Sequence, residues 1–600
     1  MQRARLPYLL IPLAACIAIL PLILNGCSCG HDFDFHLLNW MEAARQFTHG
    51  NLHPHWAYTA AWNAGEPRFV FYPPLSWTLG AILTLIFPIT ATPILYTWLA
   101  LTASGLALHR LARAFAPPTA ALLAAILYTV NPYMLFTAYE RTAYAELLAA
   151  AFIPLLLHAI LRERVTIPGV AIPIALLWLT NAPAAVMSCY ALALLTLIRL
   201  AKPSSLRKEI AINSISGTIL GLALAAFYIV PAAYERRFVQ IAMAIIPNMC
   251  IQDNFLFHHT GDLAHDQVLH TASILAIILL TLTSAAIAIS LTQSNKKNRL
   301  TNPVEKALPP FSDPSNFDPS KAMSSRSECS GVESPPHFAG TTATPAASLN
   351  LYISLAILTA AIALLLTPLT AIIWNHAPEL AFLQFPWRFL AILAAVFGLS
   401  VAQAFARVHL RPTTRTLIAI ALAATLTYPA YTFFQSCDEE DAPTALQALF
   451  QSHQGTVPTD EYTPTTADND SLSPKDPPFW LSPDPNAKAP SNTQPSPTPP
   501  DITINAPIAE DLILNLRDYP SWHISLNGSV DSTREQRDDG LITFPIPAGP
   551  STITITYAHT LDQTIGYTIS LLALASLLFL LRRKSSIAIH PRLNVTNSRT

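Results

Sequence analysis

Long apolar runs separated by short polar breaks dominate the chain. Leu6–Asn25, Ala91–Leu108, Ile210–Ala233, Thr271–Asn295, Ser348–Pro378 and Thr416–Cys437 contain no Asp, Glu, Lys or Arg. As helix, each is long enough to cross roughly 30 Å of hydrocarbon. The pattern changes after residue 500. Ile502-Thr-Ile-Asn505, Leu512-Ile-Leu-Asn-Leu516, Trp522-His-Ile-Ser-Leu526, Leu541-Ile-Thr-Phe544 and Thr552-Ile-Thr-Ile-Thr-Tyr557 alternate apolar and polar residues, with turn signals at Asn527-Gly528 and Asp539-Gly540. Alternation with period two predicts strands half-buried on a sheet. The expected fold is therefore an α-helical polytopic membrane protein with a small C-terminal β-sandwich.

Basic clusters at span ends mark the cytoplasmic side. They occur at Arg3/Arg5, Arg110/Arg113, Arg162/Arg164, Lys202/Arg207/Lys208, Lys296/Lys297/Arg299, Arg407/Arg411/Arg415 and Arg582/Arg583/Lys584. An even number of crossings must separate any two of them. The apolar stretch between Arg164 and Lys202 breaks at Asn181-Ala-Pro183 and reads as two short spans with an outer turn. Between Arg5 and Arg110 parity allows two crossings, yet three apolar segments are present, at 6–25, 74–89 and 91–108. The middle one opens at Pro73-Pro74 and closes at Pro88, so it reads as a juxtamembrane or re-entrant helix on the outer side. The expectation is about twelve transmembrane helices with both termini cytoplasmic, in the bacterial inner membrane.

This topology divides the chain into a membrane domain (1–434), with an outer loop at 26–73 and a disordered cytoplasmic loop at 296–347. An extracytoplasmic low-complexity linker (435–500), a β-domain (501–560), a last span (565–581) and a cytoplasmic tail (582–600) follow. The first segment is basic at Met1–Arg5 and apolar over Leu6–Leu24, longer than the roughly 7–15 residues of a cleaved signal core, so it reads as a retained signal-anchor.

Composition supports this picture. Only 12% of residues are charged and 52% are hydrophobic, against roughly 25% charged in soluble domains. A formal net charge of −2 excludes a nucleic-acid binder that relies on a bulk basic surface. Seven cysteines show no zinc or disulfide spacing. A bridge from Cys27 or Cys29 to Cys250 or Cys437 is left open.

The unusual polar residues gather on the outer side. Asp32 and Asp34, within His31-Asp-Phe-Asp-Phe-His36, stand just beyond the first apolar run. Carboxylates there suit deprotonation of an acceptor or a divalent cation held beside a phosphate; capping of the following helix is the bland alternative. Glu140, Arg141 and Glu146 fall in a turn too short for a solvated loop, where ionisable groups usually face the protein interior or a cavity. Arg141 suits a phosphate, or an ion pair with Glu146. Gln384 and Arg388, in Gln384-Phe-Pro-Trp-Arg388, offer a second phosphate site or an interfacial arginine beside an aromatic belt. Glu235, Arg236 and Arg237 read as a loop-edge cluster. His31, His36, His49, His53 and His55 match no zinc spacing and read as loop anchors.

Asp32-x-x-Phe-His36, Phe71-Tyr-Pro-Pro-Leu75, Arg141-Thr-Ala-Tyr-Ala-Glu146, Gln384-Phe-Pro-Trp-Arg388, Glu461-Tyr-Thr-Pro464 and Tyr519-Pro-Ser-Trp522 followed by Pro547-Ala-Gly549 together resemble the bacterial "6-pyruvoyl-tetrahydropterin synthase-related" membrane proteins. These are similar to the GT-C glycosyltransferase superfamily. Nothing in the residues supplies a pterin fold or a zinc triad. The resemblance implies a GT-C-like scaffold that takes a sugar from a polyprenyl-phosphate donor to an envelope glycan acceptor at the outer face. It implies Asp32 as the catalytic or metal-linked acid, with Asp34 an added carboxylate. His36, Glu140, Arg141, Glu146, Gln384 and Arg388 are then the expected substrate- and phosphate-binding set, and the cofactor is unassigned beyond a divalent metal at Asp32 and Asp34. The alternative is a non-catalytic envelope-assembly protein or lipid-linked-glycan carrier on the same scaffold.

Overall fold

The computed structural model of the chain describes residues 5–305, 345–408, 411–491, 493–531 and 533–589. Among them, six helices are long and apolar enough to cross a membrane: Pro118–Tyr139, Tyr144–Leu161, Ala182–Ala201, Leu263–Gln293, Pro386–Arg407 and Leu561–Arg583. Two bent pairs, Arg207–Leu224 with Ala226–Phe238 and Leu349–Leu365 with Pro368–His376, raise the number to eight. Three shorter apolar helices, Pro7–Ala18, Pro74–Ile86 and Ile167–Thr180, add to the bundle. Length and composition alone identify six to eight of the twelve expected crossings among the described residues, and proline is one reason that other apolar helices are shorter. The first apolar run breaks at Ile19, ahead of Pro21, into Pro7–Ala18 and Leu20–Asn25. Proline removes a backbone donor and clashes with the preceding turn, so it shortens helices.

Leu390–Arg407 forms the middle of the bundle, every residue from Leu390 to Ala404 being buried. Ala391, Ala394, Ala395, Gly398 and Ala402 line it, and such small side chains allow close backbone approach in a bilayer. The last helix is peripheral: only 17% of its apolar window is buried.

The β-region begins earlier than 501. β1 (Phe479–Ser482), β3 (Glu510–Arg517) and β6 (Leu541–Ile546) form one antiparallel sheet in the order β1-β3-β6. β2 (Asp501–Ala506), β7 (Gly549–Tyr557), β4 (Trp522–Leu526) and β5 (Ser529–Asp531) form a second in the order β2-β7-β4-β5. One hydrophobic cluster contains Leu512, Leu514, Phe544 and Ile546 from the first sheet and Ile502, Ile524, Ile553 and Ile555 from the second. β3 is buried on both faces, because Ile513 packs with Ala61, Ala64 and Trp480 on the far side. The 26–73 loop thus covers the sheet, with the Arg517 N–H donating to the Ala64 carbonyl at 2.9 Å.

The segment 435–500, expected as linker, carries helix Pro443–Gln451 and strand β1. Its proline- and threonine-rich composition conceals a chain held by specific backbone partners: Trp62 N–H donates to Thr456 O, and Gln240 N–H to Thr463 O, both at 2.8 Å. Cys29 and Cys437 form a disulfide with a Cα–Cα distance of 4.9 Å, leaving Cys27 and Cys250 as free thiols. The helix Leu263–Glu305 extends into the segment expected to be a disordered cytoplasmic loop. Residues 306–344 of that loop, and 590–600 of the tail, lie outside the described residues.

Candidate active site at the mouth of the membrane domain

Helix Phe33–Thr48 begins immediately after Asp32, and Asp32 takes the position before its first residue without making a side-chain cap. A capping aspartate would bond a backbone N–H in the first turn; here the carboxylate is left for other partners. Its backbone is fixed instead, with Asp32 N–H donating to Arg141 O at 3.0 Å and His31 N–H to Glu140 O at 3.2 Å. Gly30 makes this pairing possible: a Cβ there would stand 2.2 Å from the Glu140 carbonyl oxygen. The start of the outer loop and the 139–142 turn are therefore one backbone unit.

Three side chains converge on Glu146. Arg141 Nη1 donates to Glu146 Oε2 at 2.8 Å, and Arg388 Nε lies 3.6 Å from the same oxygen. Tyr133 donates its hydroxyl to Glu146 Oε1. The three charged side chains are 6%, 13% and 3% exposed for Arg141, Arg388 and Glu146. Trp387 lies under the Arg141 guanidinium at 4.7 Å, and Phe385 under that of Arg388 at 4.9 Å, so each cation also has an aromatic face. Arg388 donates one Nη1 bond to the Leu383 carbonyl at 3.0 Å, but its buried Nε has no hydrogen-bond partner.

Charge balance around this cluster is uneven. Two guanidinium groups stand beside one carboxylate, which only Arg141 hydrogen-bonds, and Asp32 is the next negative charge acting on both. Burial alone would lower the pKa of Arg141, yet Glu146, Tyr133 and Asp32 together hold it above the usual arginine value. Asp32 also faces His36 and Tyr72. Burial pushes His36 down to about 4, with Asp32 opposing the shift and Arg141 reinforcing it. Burial, then Asp32, raises Tyr72 well above the usual phenol range. His36 is therefore neutral, packed edge-on to Tyr72 and Tyr144 at 5.8 and 5.3 Å.

The expected site residues separate into groups. Asp32, Arg141, Glu146 and Arg388 come together, with His36 behind them. Glu140 points the other way: its Oε2 accepts from Gln435 Nε2 at 3.2 Å, and burial raises its pKa while that bond opposes the rise. Gln384, in a left-handed backbone at φ +60°, donates to the Ala244 carbonyl at 2.6 Å. Asp34 is exposed on the first helical turn. Tyr133 was not singled out from sequence, since thirteen positions from Glu146 is no recognisable spacing. Trp387 and Tyr72 lay within the quoted motifs, but nothing in the pattern distinguished them from an interfacial belt.

Among the described residues no group of three or more His, Cys, Asp or Glu side chains is placed to hold a metal; Asp32 is half-buried and Asp34 exposed.

Residues 69–236 match the family described as "6-pyruvoyl-tetrahydropterin synthase related domain; membrane protein", the family that the sequence motifs resemble. No curated protein sequence matches the chain. Similar solved structures include the arabinofuranosyltransferase AftD from Mycobacteria, at 15% identity and a TM-score of 0.40, covering 70% of this chain and 26% of that one. Another is the Archaeoglobus fulgidus oligosaccharyltransferase, solved in complex with zinc and sulfate, at 16% identity and a TM-score of 0.37, covering 72% of this chain and 53% of that one. The chain thus spans about a quarter of the first protein and about half of the second.

Proposed function

From a membrane protein whose residues 69–236 match the 6-pyruvoyl-tetrahydropterin synthase related family, we propose a glycosyltransferase that moves a sugar from a polyprenyl-phosphate-linked donor to an envelope glycan acceptor. The reaction would take place at the extracytoplasmic face of the bacterial inner membrane, on a GT-C-like scaffold of about twelve crossings with both termini cytoplasmic. The observation that carries the reading is the undersaturated cation pair. Arg388 keeps a buried, unpartnered Nε beside a carboxylate that Arg141 already occupies. A phosphate group would supply the missing acceptor oxygens, and fixed cations there stabilise charge developing on a leaving group.

In this mechanism an acceptor hydroxyl attacks the anomeric carbon, and the bond from that carbon to the lipid phosphate oxygen breaks with inversion. The electron pair leaves on the phosphate, held by Arg388 and Arg141. The proton of the attacking hydroxyl passes to Asp32, whose carboxylate is free of capping duty. Glu146 and Tyr133 hold Arg141 in place, and His36 and Tyr72 pack behind Asp32. No step runs through a metal.

The test is mass spectrometry of envelope glycans and polyprenyl-linked sugars in a deletion strain complemented with wild type or with Asp32→Asn. Transfer predicts loss of one decoration with its lipid-linked donor accumulating, restored by wild type alone. Restoration by both versions would mean a carrier and would remove Asp32 from the chemistry.

A further inference from the structure

Two outer segments leave large apolar side chains uncovered although neither is a membrane span by itself. After the span Leu349–Leu365 the chain turns by 92° into Pro368–His376. There Leu369, Ile372 and Ile373 are 82%, 70% and 48% exposed. Beside it the 241–257 loop exposes Ile246, Met249 and Phe257. The segments are joined, Gln252 Nε2 donating to Asn375 Oδ1 and Leu256 N–H to Leu366 O, each at 3.2 Å. Single exposed apolar residues need no explanation, but a contiguous group on a folded surface marks an interaction site.

The geometry identifies the occupant. Trp374, wholly buried, donates its indole N–H to the Leu365 carbonyl at 3.0 Å and so fixes the short helix across the end of the span. Spans run within roughly 40° of the bilayer normal, so a segment turned by 92° lies along the membrane plane. The loop continues into the span Leu263–Gln293, which is only 39% buried in its apolar window and presents the rest to lipid. Polar groups border the apolar patch. Exposed Arg236 pairs with Glu379 at 3.5 Å, and Arg237 stacks on Tyr234 at 3.8 Å. Arginine and tyrosine of this kind suit the headgroup layer.

We infer that residues 241–257 and 368–383 form an apron immersed in the outer leaflet, its apolar side chains covered by the acyl chains of bilayer lipid. The inference stands apart from the transfer reaction, but it has a consequence for it. Gln384 ties the apron to the turn that holds Arg388, through the Ala244 carbonyl, and so sets the phosphate-binding pair at headgroup depth.

Full-length protein in nanodiscs of phosphatidylethanolamine and phosphatidylglycerol tests it, with Cys16, Cys27, Cys189, Cys250 and Cys329 replaced by alanine. Bimane would be attached at Ile372→Cys, at Ile246→Cys, and at Thr552→Cys on the exposed sheet face as the aqueous reference. Lipids spin-labelled near the top of the acyl chain should quench the labels at 372 and 246 and leave that at 552 bright; aqueous iodide should do the reverse. Iodide quenching at 372 and 246 equal to that at 552, with loss of lipid quenching, would overturn the apron. Because two independent apron positions are read, failure of one variant to fold leaves the other to decide.

Discussion

Arg68 and Arg388 are both buried arginines beside a carboxylate, and their surroundings differ in one respect. Every guanidinium nitrogen of Arg68 is bonded: Nε and Nη2 donate to Glu66 Oε2 at 3.3 and 3.0 Å, Nη1 to Asn39 at 3.1 Å, and Nη2 also to Thr459 at 2.7 Å. Glu66 Oε1 in turn accepts from Thr459 N–H at 2.6 Å. The network joins the 26–73 loop to the 456–464 segment and leaves no nitrogen of the guanidinium without a partner. Arg388 shares its carboxylate with Arg141 and keeps an unpartnered Nε. A pair with every nitrogen bonded holds elements in place; two cations beside one carboxylate, as at Arg388, are the arrangement on which the proposed phosphate site rests. An unpartnered Nε alone does not mark such a site, because buried Arg517 has one too.

Substitutions can break or sharpen that contrast. The largest effect on activity is expected from Arg388→Ala and Asp32→Asn, each lowering transfer by about 10²–10⁴-fold with little change in the melting temperature of purified protein. Equal loss of folded protein would place Arg388 with Arg68. Arg68→Ala should act in the opposite sense, leaving Glu66 unpaired and costing about 3–5 kcal/mol of stability, read as a lower melting temperature. Cys29→Ser removes the tie to Cys437, across a separation of 408 residues. The usual cost of a lost disulfide is about 2–4 kcal/mol, measurable as the same loss on adding reductant to wild type.

A smaller effect is expected from pH. Burial, with His559 second, pushes His53 down from 6.5 to about 4. The folded protein therefore keeps His53 neutral where the unfolded chain takes up a proton. Stability should fall as pH drops from about 6.5 towards about 4, and His53→Gln should flatten that slope. The smallest effect is expected from Asp34→Asn. Its side chain is exposed, so stability should change by no more than about 0.5 kcal/mol, and transfer should fall far less than in Asp32→Asn.

Part of the arrangement could be read before the fold was known, with alternatives left open. A turn of four residues between two apolar helices is too short to solvate Arg141, which left a phosphate or an ion pair with Glu146 as its partner, and the structure has the ion pair. The convergence with Arg388 was an expectation from motif resemblance and topology, since 247 positions of chain carry no pairing signal. Tyr133 and Gln435 were invisible for the same reason. The cysteine bridge was narrowed to a few pairings but not chosen, because spacing does not encode long-range closure. The 435–500 segment misled because proline, threonine and serine make irregular backbone whether it is free or pinned. Here hydrogen bonds to Thr59, Trp62 and Gln240 pin it, and those partners lie far away in sequence. Proline also divides apolar runs without altering their hydropathy, as in the break between Pro7–Ala18 and Leu20–Asn25.

Equilibrium binding of undecaprenyl phosphate to the full-length protein in nanodiscs, compared between wild type, Arg388→Ala and Arg68→Met, tests the central claim most directly. The account predicts saturable binding by wild type, its loss in Arg388→Ala at unchanged thermal stability, and its retention by whatever fraction of Arg68→Met remains folded. Undiminished binding by folded Arg388→Ala would contradict it, and would leave the unpartnered guanidinium nitrogen without a ligand.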